Sequence, residues 1–332
     1  MGRTLLGRAP LIRYVLGRIA QAVVVLWAAY TVSFAVLYLL PGDPLSIMLA
    51  ANNTDIGSLS AAELLAARHR YGLDQPVLVQ YGNLLLSALH GDFGTSSSLG
   101  GSVVSAIAIR LPGTLALASV AVLLGAAGGY AIAYLGAWIR WRPAKLLVER
   151  LPAVGMSAPG FWVALLLIQL FAFQLHWFPS TGSEGIGSVV LPAVTLAIPA
   201  AAVIAQVLGR GLDHEWSQPY VQTALAKGLS VSSVQLRHAL RNAALPAITI
   251  LGLVIGNTVT NAVVVETVFS RQGVGQLAQQ AVLAQDIPVV QAIVVLAAAL
   301  FVTVNLLVDL VYPLLDPRVV QHRRAAGKVA IA

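Results

Sequence analysis

Residues 210–241 read RGLDHEWSQPYVQTALAKGLSVSSVQLRHALR and separate two long uncharged runs. This segment, called the polar island below, combines helix-forming residues with a central Gly228, and Pro246 closes it on the C-terminal side. A chain that keeps so many aqueous residues between two membrane-length runs presents a surface to something outside the bilayer. The polar island is therefore the first candidate for a partner-binding site.

The runs beside the polar island belong to a set of six. Hydrophobic residues make up 58% of the chain and charged residues 10%, with a mean hydropathy of +0.82, whereas a soluble domain carries about 25% charge. A bilayer core needs about 20 apolar residues per helix. Uncharged runs of that length occupy residues 19–40, 111–139, 151–183, 185–209, 242–265 and 287–308. We predict an all-α membrane protein with six transmembrane helices.

Basic residues indicate the orientation, because Lys and Arg beside a span resist translocation. Sixteen of the twenty lie before span one, between spans two and three, in the polar island or after span six. The others are Arg68, Arg70, Arg110 and Arg271. We expect a cytoplasmic N-terminal segment at residues 1–18, a membrane domain at residues 19–315 and a cytoplasmic tail at residues 316–332. Both termini and the polar island are then cytoplasmic, and residues 41–110 form an external loop.

Several function classes are disfavoured. The net charge of +7 is spread over short clusters beside the spans, which topology explains without nucleic-acid binding. The chain has no Cys, no ligand spacing among its six His, and no HExxH or GxxxxGK[ST] motif. We expect no metal site, no catalytic residues and no ATP bound directly. Residues 273–278, GVGQLA, have dinucleotide-binding spacing but follow a predicted span instead of the strand of a βαβ unit.

Ion coupling is the competing energy source. Ion-coupled transporters place ionisable residues within their spans, and the six runs contain no Asp, Glu, Lys or Arg. Proton coupling is therefore disfavoured, whereas a sodium site made of carbonyl and hydroxyl oxygens stays open. Asn257, Thr258 and Asn261 of span five are the candidates for a translocation path. Hydrogen bonding between helices explains such residues equally well.

The external loop contains helical signals. Ser60 with Glu63 has the form of a capping box that opens the helix AAELLAARHR. A second amphipathic stretch, VLVQYGNLLLSALH, precedes Gly91. Such a loop can rest on the membrane surface, contact an external partner or cover the bundle.

The island segment YVQTALAKGLSVSSVQLRHALRNAALP, residues 220–246, resembles the cytoplasmic coupling loop of ABC importer permeases of the dipeptide/oligopeptide/nickel family. Other segments are similar to family segments in the same order, so the resemblance covers nearly the whole chain. They are LPGDP at 40–44, YGLDQPVLVQY at 71–81, HGDFGTS at 90–96, RLPGTLALA at 110–118, SAPGFWVALLL at 157–167, VVVETVFSRQGVGQL at 263–277 and LLVDLVYPLLDPRV at 306–319. The resemblance implies the type I ABC importer permease fold.

In that family the coupling loop sits in a groove of a cytoplasmic ATPase. Propensity predicts one helix over residues 220–227, a turn at Gly228 and a second helix over residues 232–244. The resemblance places Gln222 where many ABC importers carry the Glu of the EAA motif, so a salt bridge from this position is not expected. The positions that it assigns to ATPase coupling are Tyr220, Gln222, Thr223, Ala224, Lys227 and Gly228.

Residues 263–276 are expected to end span five and to turn back near the external exit of the path. Gly273 and Gly275 are the turning points, and together with Glu266 they form a candidate external gate. We expect Glu266 to form a structural ion pair with Arg271. Contact between Glu266 and the solute is the alternative.

The sequence thus predicts the permease subunit of an ATP-driven importer in a bacterial inner membrane, with di- or oligopeptides as its solutes. Nickel, glutathione or another small solute is the alternative cargo, and an ion-coupled secondary transporter is the alternative class. The resemblance implies a sibling permease, two cytoplasmic ATPases that hold ATP and Mg²⁺, and an external solute-binding protein.

Overall fold

Long apolar helices carry the fold, because a helix satisfies its backbone hydrogen bonds within one segment. The computed structural model describes residues 8–38, 45, 57, 59–70, 74–139 and 141–315. Within these ranges no β-strand forms, apart from an isolated bridge between Thr95 and Ser102. The helices long and apolar enough to cross a bilayer are α1 (Arg8–Tyr38), α4 (Val103–Trp138), α7 (Gly187–Trp216), α10 (Leu240–Val268) and α12 (Ile287–Leu315).

The third predicted span, residues 151–183, is not one straight helix. It is a bent pair made of α5 (Arg142–Ser157) and α6 (Gly160–Leu167), which continues as a π-helical turn over Ile168–Gln174, with 106° between its halves. Ala158 and Pro159 are extended at the break. Proline lacks an N–H and disfavours helical geometry in the preceding residue. The count of six spans therefore holds when the bent pair is one span.

In the described part of the chain, five short helices connect the long ones. They are α2 (Ala61–Arg70), α3 (Val77–Leu89), α8 (Pro219–Ala226), α9 (Val231–Val234) and α11 (Val274–Leu283). The capping box is confirmed, since Glu63 Oε2 accepts from Ser60 N at 2.8 Å and from Ser60 Oγ at 2.6 Å. These bonds lower the pKa of Glu63. The segments at residues 40–44, 71–73 and 316–332 lie outside the described residues.

The centre of the bundle is the packing of α4 on α7, the most extensive helix pair of the fold. Small residues permit it: a Cβ atom at Gly125 would lie 2.7 Å from Ala200 Cβ, and one at Gly129 would lie 2.7 Å from the Ala201 carbonyl oxygen. Close backbone approach over small residues is how membrane helices gain packing energy where apolar burial gives little. Helix α10 packs on both α4 and α7 and completes the core.

The C-terminal ends of α10 and α11 are closed by residues other than glycine in the left-handed region. Ser270 has φ 49° and Gln285 has φ 53°. After each of them a backbone N–H reaches back five residues, from Arg271 to Glu266 at 2.7 Å and from Asp286 to the Ala281 carbonyl at 2.8 Å. These Schellman-type endings turn the chain sharply. The second one directs Asp286 toward the external loop.

Asp286 fastens the predicted external loop to the start of α12. Its Oδ2 atom accepts from Ser96 Oγ at 2.6 Å, Ser98 N at 2.9 Å and Ser98 Oγ at 2.7 Å, and its side chain is fully buried. Burial raises the pKa of Asp286, but the hydrogen bonds from Ser96 and Ser98 outweigh burial, and the net pKa lies below the ordinary Asp value. A contact between residues 190 positions apart thus closes the loop onto the bundle.

Replacing Asp286 with Asn should destabilise this lock, because the charge that strengthens the serine hydrogen bonds is lost and an amide oxygen placed at the serines leaves the amide nitrogen facing the Val289 N–H. We expect a loss of about 1–3 kcal/mol at pH 7, seen as a lower melting temperature in detergent. The pKa of Asp286 is lowered in the folded state, so its contribution is complete above the ordinary Asp value of about 3.9 and is lost as the pH falls through the lowered pKa. The difference between wild type and variant should therefore narrow below about pH 4.

Asp74→Asn is the matched control, because Asp74 is exposed and its carboxyl group lies 3.6 Å from His69 Nδ1 in an exposed pair. We expect the control to melt like the wild type at pH 7. Equal melting temperatures for the wild type and D286N at that pH would contradict the lock.

Candidate functional site

The polar island folds into a helix, a tight turn and a second helix. Helix α8 begins at Pro219, whose fixed φ suits the first helical position, and ends before Lys227. Gly228 follows with φ +83°, while the N–H of Leu229 binds the Ala224 carbonyl at 3.3 Å and the N–H of Gly228 binds the Leu225 carbonyl at 2.9 Å. This Schellman motif confirms the turn predicted at Gly228. We call residues 219–234 the knob.

The second arm of the knob does not end where the sequence suggested. Ser230 Oγ accepts from Ser233 N at 3.3 Å and caps α9, as a serine at this position commonly does. A π-helical turn over Gln235–Ala239 then joins α9 to α10. The predicted second helix over residues 232–244 is therefore wrong in its boundary. Pro246 lies inside α10 and does not close the island, because its ring is accommodated in a helix that runs on into span five.

The knob is fixed to the bundle by apolar and polar contacts. Val221 and Val234 are buried, with 1% and 0% of their surface exposed. The Tyr220 hydroxyl donates to Glu215 at the end of α7, and Asn242 Nδ2 donates to the same carboxyl oxygen at 3.2 Å. Burial and the bond to Glu215 raise the pKa of Tyr220. Tyr220 thus ties the knob to two spans.

The other predicted coupling residues lie on the free side of the knob. Gln222, Thr223, Lys227 and Gly228 are exposed, and Ala224 is half-buried. Sequence reasoning missed four aliphatic side chains in and next to the knob, which are exposed by 36% to 44%. These are Leu225, Leu229, Val231 and Leu236. The available signal was the recurrence of leucine and valine within an otherwise aqueous segment.

The predicted path residues divide between two faces of α10. Asn257 and Asn261 are exposed one helical turn apart, and Asn261 Nδ2 donates to the Asn257 carbonyl at 2.8 Å. Thr258 is 4% exposed, and its hydroxyl donates to the Val254 carbonyl at 2.8 Å. The two asparagines therefore remain available to a solute or a partner helix, whereas Thr258 faces the core. Their role in a path stays a prediction.

Two of the cavities between the helices are lined in part by predicted site residues. The larger, about 550 Å³, is apolar and lies between α4, α10 and α12. Its lining includes Leu115, Val122, Val259, Phe301 and Val304, with Thr114 and Gly275 also present. The smaller, about 310 Å³, adjoins the bend of span three, and Asn261 and Thr195 contribute its polar atoms. The structure thus brings Asn261 to the wall of a cavity.

Glu266 joins three helices. Its Oε1 atom accepts from Thr114 Oγ1 on α4 at 2.7 Å, and Oε2 accepts from the Gly275 N–H of α11 at 2.7 Å. Thr114 Oγ1 in turn accepts from the Val274 N–H at 2.8 Å. The side chain is fully buried. We call this set the outer clamp; a carboxyl group here occupies a helix N terminus, where backbone N–H groups lack helical partners.

The two glycines of the outer clamp provide space for the carboxyl group. A Cβ atom at Gly273 would lie 2.2 Å from the Glu266 carboxyl carbon, and one at Gly275 would lie 2.4 Å from Val263 Cα. Any larger residue at either position would displace the carboxyl group or the backbone of α10. Glu266, Gly273 and Gly275, which the sequence grouped as an external gate, are thus brought together.

The expected ion pair between Glu266 and Arg271 is wrong. Both residues are described, and no contact between their charged groups lies within 4.0 Å. Arg271 Nη1 instead donates to Ser188 Oγ at 3.3 Å on α7. The turn at Ser270 places Arg271 beyond the end of α10, where its guanidinium group binds α7.

Comparison with known proteins agrees with this architecture. A protein of Brucella suis named as the permease of a peptide transport system is 36% identical, with 92% of this chain and 98% of that protein aligned. The glutathione transport system permease protein GsiC of Salmonella typhimurium is 34% identical over 93% and 99%. A chain of the inward-facing MetNI methionine ABC transporter matches with a TM-score of 0.54 at 18% identity, covering 63% of this chain and 95% of that one, which supports the fold.

Two family descriptions cover most of the sequence. "Binding-prot-dependent transport system membrane comp, N-term" matches residues 11–118, and "Binding-protein-dependent transport system inner membrane component" matches residues 129–321. Together with the apolar helices, they confirm the prediction of a multi-pass inner-membrane permease. The chain therefore belongs to the family of binding-protein-dependent transport system inner membrane components.

Proposed function

We propose that this chain is one of two membrane subunits of an ATP-driven peptide importer. In this proposal the knob binds a cytoplasmic ATPase and transmits its conformational change to the membrane helices. The observation that carries the proposal is the knob itself. It exposes aliphatic side chains around a fixed turn and continues without a break into α10. A surface of this kind suits a groove on a soluble partner.

Helix α10 gives the knob a route across the membrane. It has 29 residues, which corresponds to about 43 Å of helix, and its far end carries Glu266 of the outer clamp. Closure of two ATPases would draw two knobs together and shift the helices that continue from them. In this proposal the sibling permease supplies the second half of the path, and the external solute-binding protein delivers solute at the clamp end.

The chain contributes no catalytic group in this scheme, since hydrolysis takes place on the ATPases, which also hold ATP and Mg²⁺. Peptide cargo is supported by relatives whose names include peptide transport and by the relative named for glutathione, itself a short peptide. No group of three or more metal-ligating side chains occurs in the described part of the chain, so direct nickel coordination has less support. Within that part the apolar cavity walls suit uncharged peptide side chains.

Uptake by the complex tests the function directly. The chain is copurified with its sibling permease and ATPases, and the complex is reconstituted into liposomes. Labelled dipeptides or glutathione are added with the solute-binding protein on the side of the membrane opposite the knob. We expect uptake that requires ATP at the knob side and the solute-binding protein. Uptake driven by a proton or sodium gradient without ATP would contradict the proposal, and uptake of Ni²⁺ without any peptide would change the cargo.

Gly228→Val tests the knob. A valine is strained at φ +83° by about 1–2 kcal/mol, so the turn should reshape and the knob should lose its fit to the ATPase. We expect ATP-dependent uptake and solute-stimulated ATP hydrolysis to fall at least tenfold, while membrane insertion stays normal.

Gly209→Val provides the control, because Gly209 has no left-handed φ and a Cβ atom there also meets nothing within 4 Å. We expect this variant to transport like the wild type. Normal solute-stimulated ATP hydrolysis by G228V would refute the coupling role.

Glu266→Gln tests the outer clamp. The amide has a single acceptor oxygen, which cannot accept from both the Thr114 hydroxyl and the Gly275 N–H, and its bonds are weaker than those of the carboxylate, at a cost of about 1–3 kcal/mol. We expect faster hydrogen exchange at the first amides of α11, measured by mass spectrometry, and a lower rate of uptake. Glu184→Gln, at an exposed acid, should leave both unchanged. Unaltered exchange in E266Q would show that the clamp does not hold α11.

A further inference from the structure

Helix α3 is an apolar helix with no buried residue. Leu78, Leu86 and Leu89 are exposed by 83%, 58% and 74%. Exposure of such large apolar side chains to water would be unfavourable in an external loop. Large apolar side chains in such a row indicate a surface that something covers.

Most residues of α3 fall into three stripes at 100° per residue, while Val77 and Leu84, exposed by 55% and 38%, lie between the polar and the half-buried stripe. One stripe is half-buried against the protein and contains Tyr81, Leu85 and Ala88. The next is apolar and exposed and contains Leu78, Val79, Leu86 and Leu89. The last is polar and contains Gln80, Asn83 and Ser87. A helix that touches protein, an apolar medium and a polar medium along separate stripes fits a boundary between phases.

Contacts with α1 fix the depth of α3. The Tyr81 hydroxyl lies 2.8 Å from Thr31 Oγ1, and the Tyr81 ring lies 5.2 Å from that of Phe34 and 5.9 Å from that of Tyr30. All three partners belong to the membrane-spanning part of α1, Leu16–Val36. From Thr31 to the end of that part is about 8 Å along the helix. Interfacial helices bury their apolar face about 5–10 Å into the boundary between headgroups and acyl chains.

The two neighbouring stripes agree with this depth. The polar stripe binds the preceding loop, with Gln80 Nε2 donating to the Gln75 carbonyl at 2.7 Å and Asn83 Nδ2 donating to Gln75 Oε1 at 3.0 Å. The exposed apolar stripe adjoins the part of α1 where Val32 and Val36 are exposed by 61% and 57%. These valines belong to the membrane-spanning part of α1, so both apolar surfaces lie near the same end of that span.

We propose that α3 is a membrane-interface helix, which binds phospholipid through Leu78, Val79, Leu86 and Leu89 at the Tyr38 end of α1. Under the predicted orientation this is the outer leaflet. The helix anchors the external loop, whose other end the Asp286 lock holds, so that the loop is tethered to both the bilayer and the bundle. A soluble partner docks above the headgroups, whereas the bonds to α1 hold this stripe below them.

The absence of Cys makes spin labelling direct. Leu86→Cys and Ser87→Cys are adjacent, both exposed, and lie on the apolar and polar stripes. Each full-length variant is labelled with a nitroxide in its copurified complex and placed in phosphatidylcholine liposomes. Power saturation is measured with oxygen, which concentrates in the acyl region, and with chromium oxalate, which stays in water. We expect the ratio of oxygen to chromium accessibility to be several-fold higher at position 86 than at position 87.

Equal ratios, with chromium oxalate reaching both labels, would overturn the proposal. Protection of position 86 that arises only after addition of the solute-binding protein would also overturn it, because the stripe would then be a protein docking site. Leu89→Cys repeats the measurement on the same stripe and is used if Leu86→Cys does not yield a folded complex. Lipid-like accessibility without the solute-binding protein is the supporting result.

Discussion

The hydrogen bonds of the buried Glu266 carboxyl group hold α4, α10 and α11 together at one end of the bundle. A buried polar group is costly unless it is hydrogen-bonded, and here Thr114 of α4 and the first turn of α11 supply the donors. Gly273 and Gly275 leave the room that this arrangement requires. The glycine spacing that imitates a dinucleotide-binding motif therefore has a physical basis. In both cases backbone N–H groups at the start of a helix donate hydrogen bonds to oxygen atoms. In this protein the oxygen belongs to the Glu266 side chain, whereas in a dinucleotide-binding motif it belongs to a phosphate.

Helix α10 connects this clamp to the knob, and the two ends are built differently. The clamp is closed and fully buried, while the knob is held by Val221 and by the bonds to Glu215 but keeps its other side free. A rigid attachment beside an exposed surface suits a part that must pass displacement on to a membrane helix. The spans between the ends carry few polar groups, so the polar contacts of the protein concentrate at the two boundaries of the bilayer.

The sequence predicted those structural features that are determined by residues close together in the chain. Five of the six spans, the capping box at Ser60 and the turn at Gly228 follow from apolar length, side-chain capping and left-handed geometry, and the structure has each of them. The bend at Pro159 and the uninterrupted helix through Pro246 show the limit. Proline thus lies at a helix break at position 159 and inside a continuous helix at position 246. Which of the two occurs depends on packing that the sequence alone does not reveal. The lock between Ser96 and Asp286 depends on a contact across 190 positions and had no local signal.

The external loop illustrates how the bilayer decides the meaning of a pattern. In a soluble protein, a helix such as α3 would bury its leucines in a core, and their exposure would indicate a partner protein. Here Tyr81 binds α1 below the end of its membrane-spanning part, so the environment at that depth is lipid. The same depth argument separates the leucines of the knob, which project from an aqueous segment and require a protein surface, from those of α3. The partner of an exposed apolar side chain therefore depends on its depth along the membrane normal. Contacts with neighbouring helices indicate that depth.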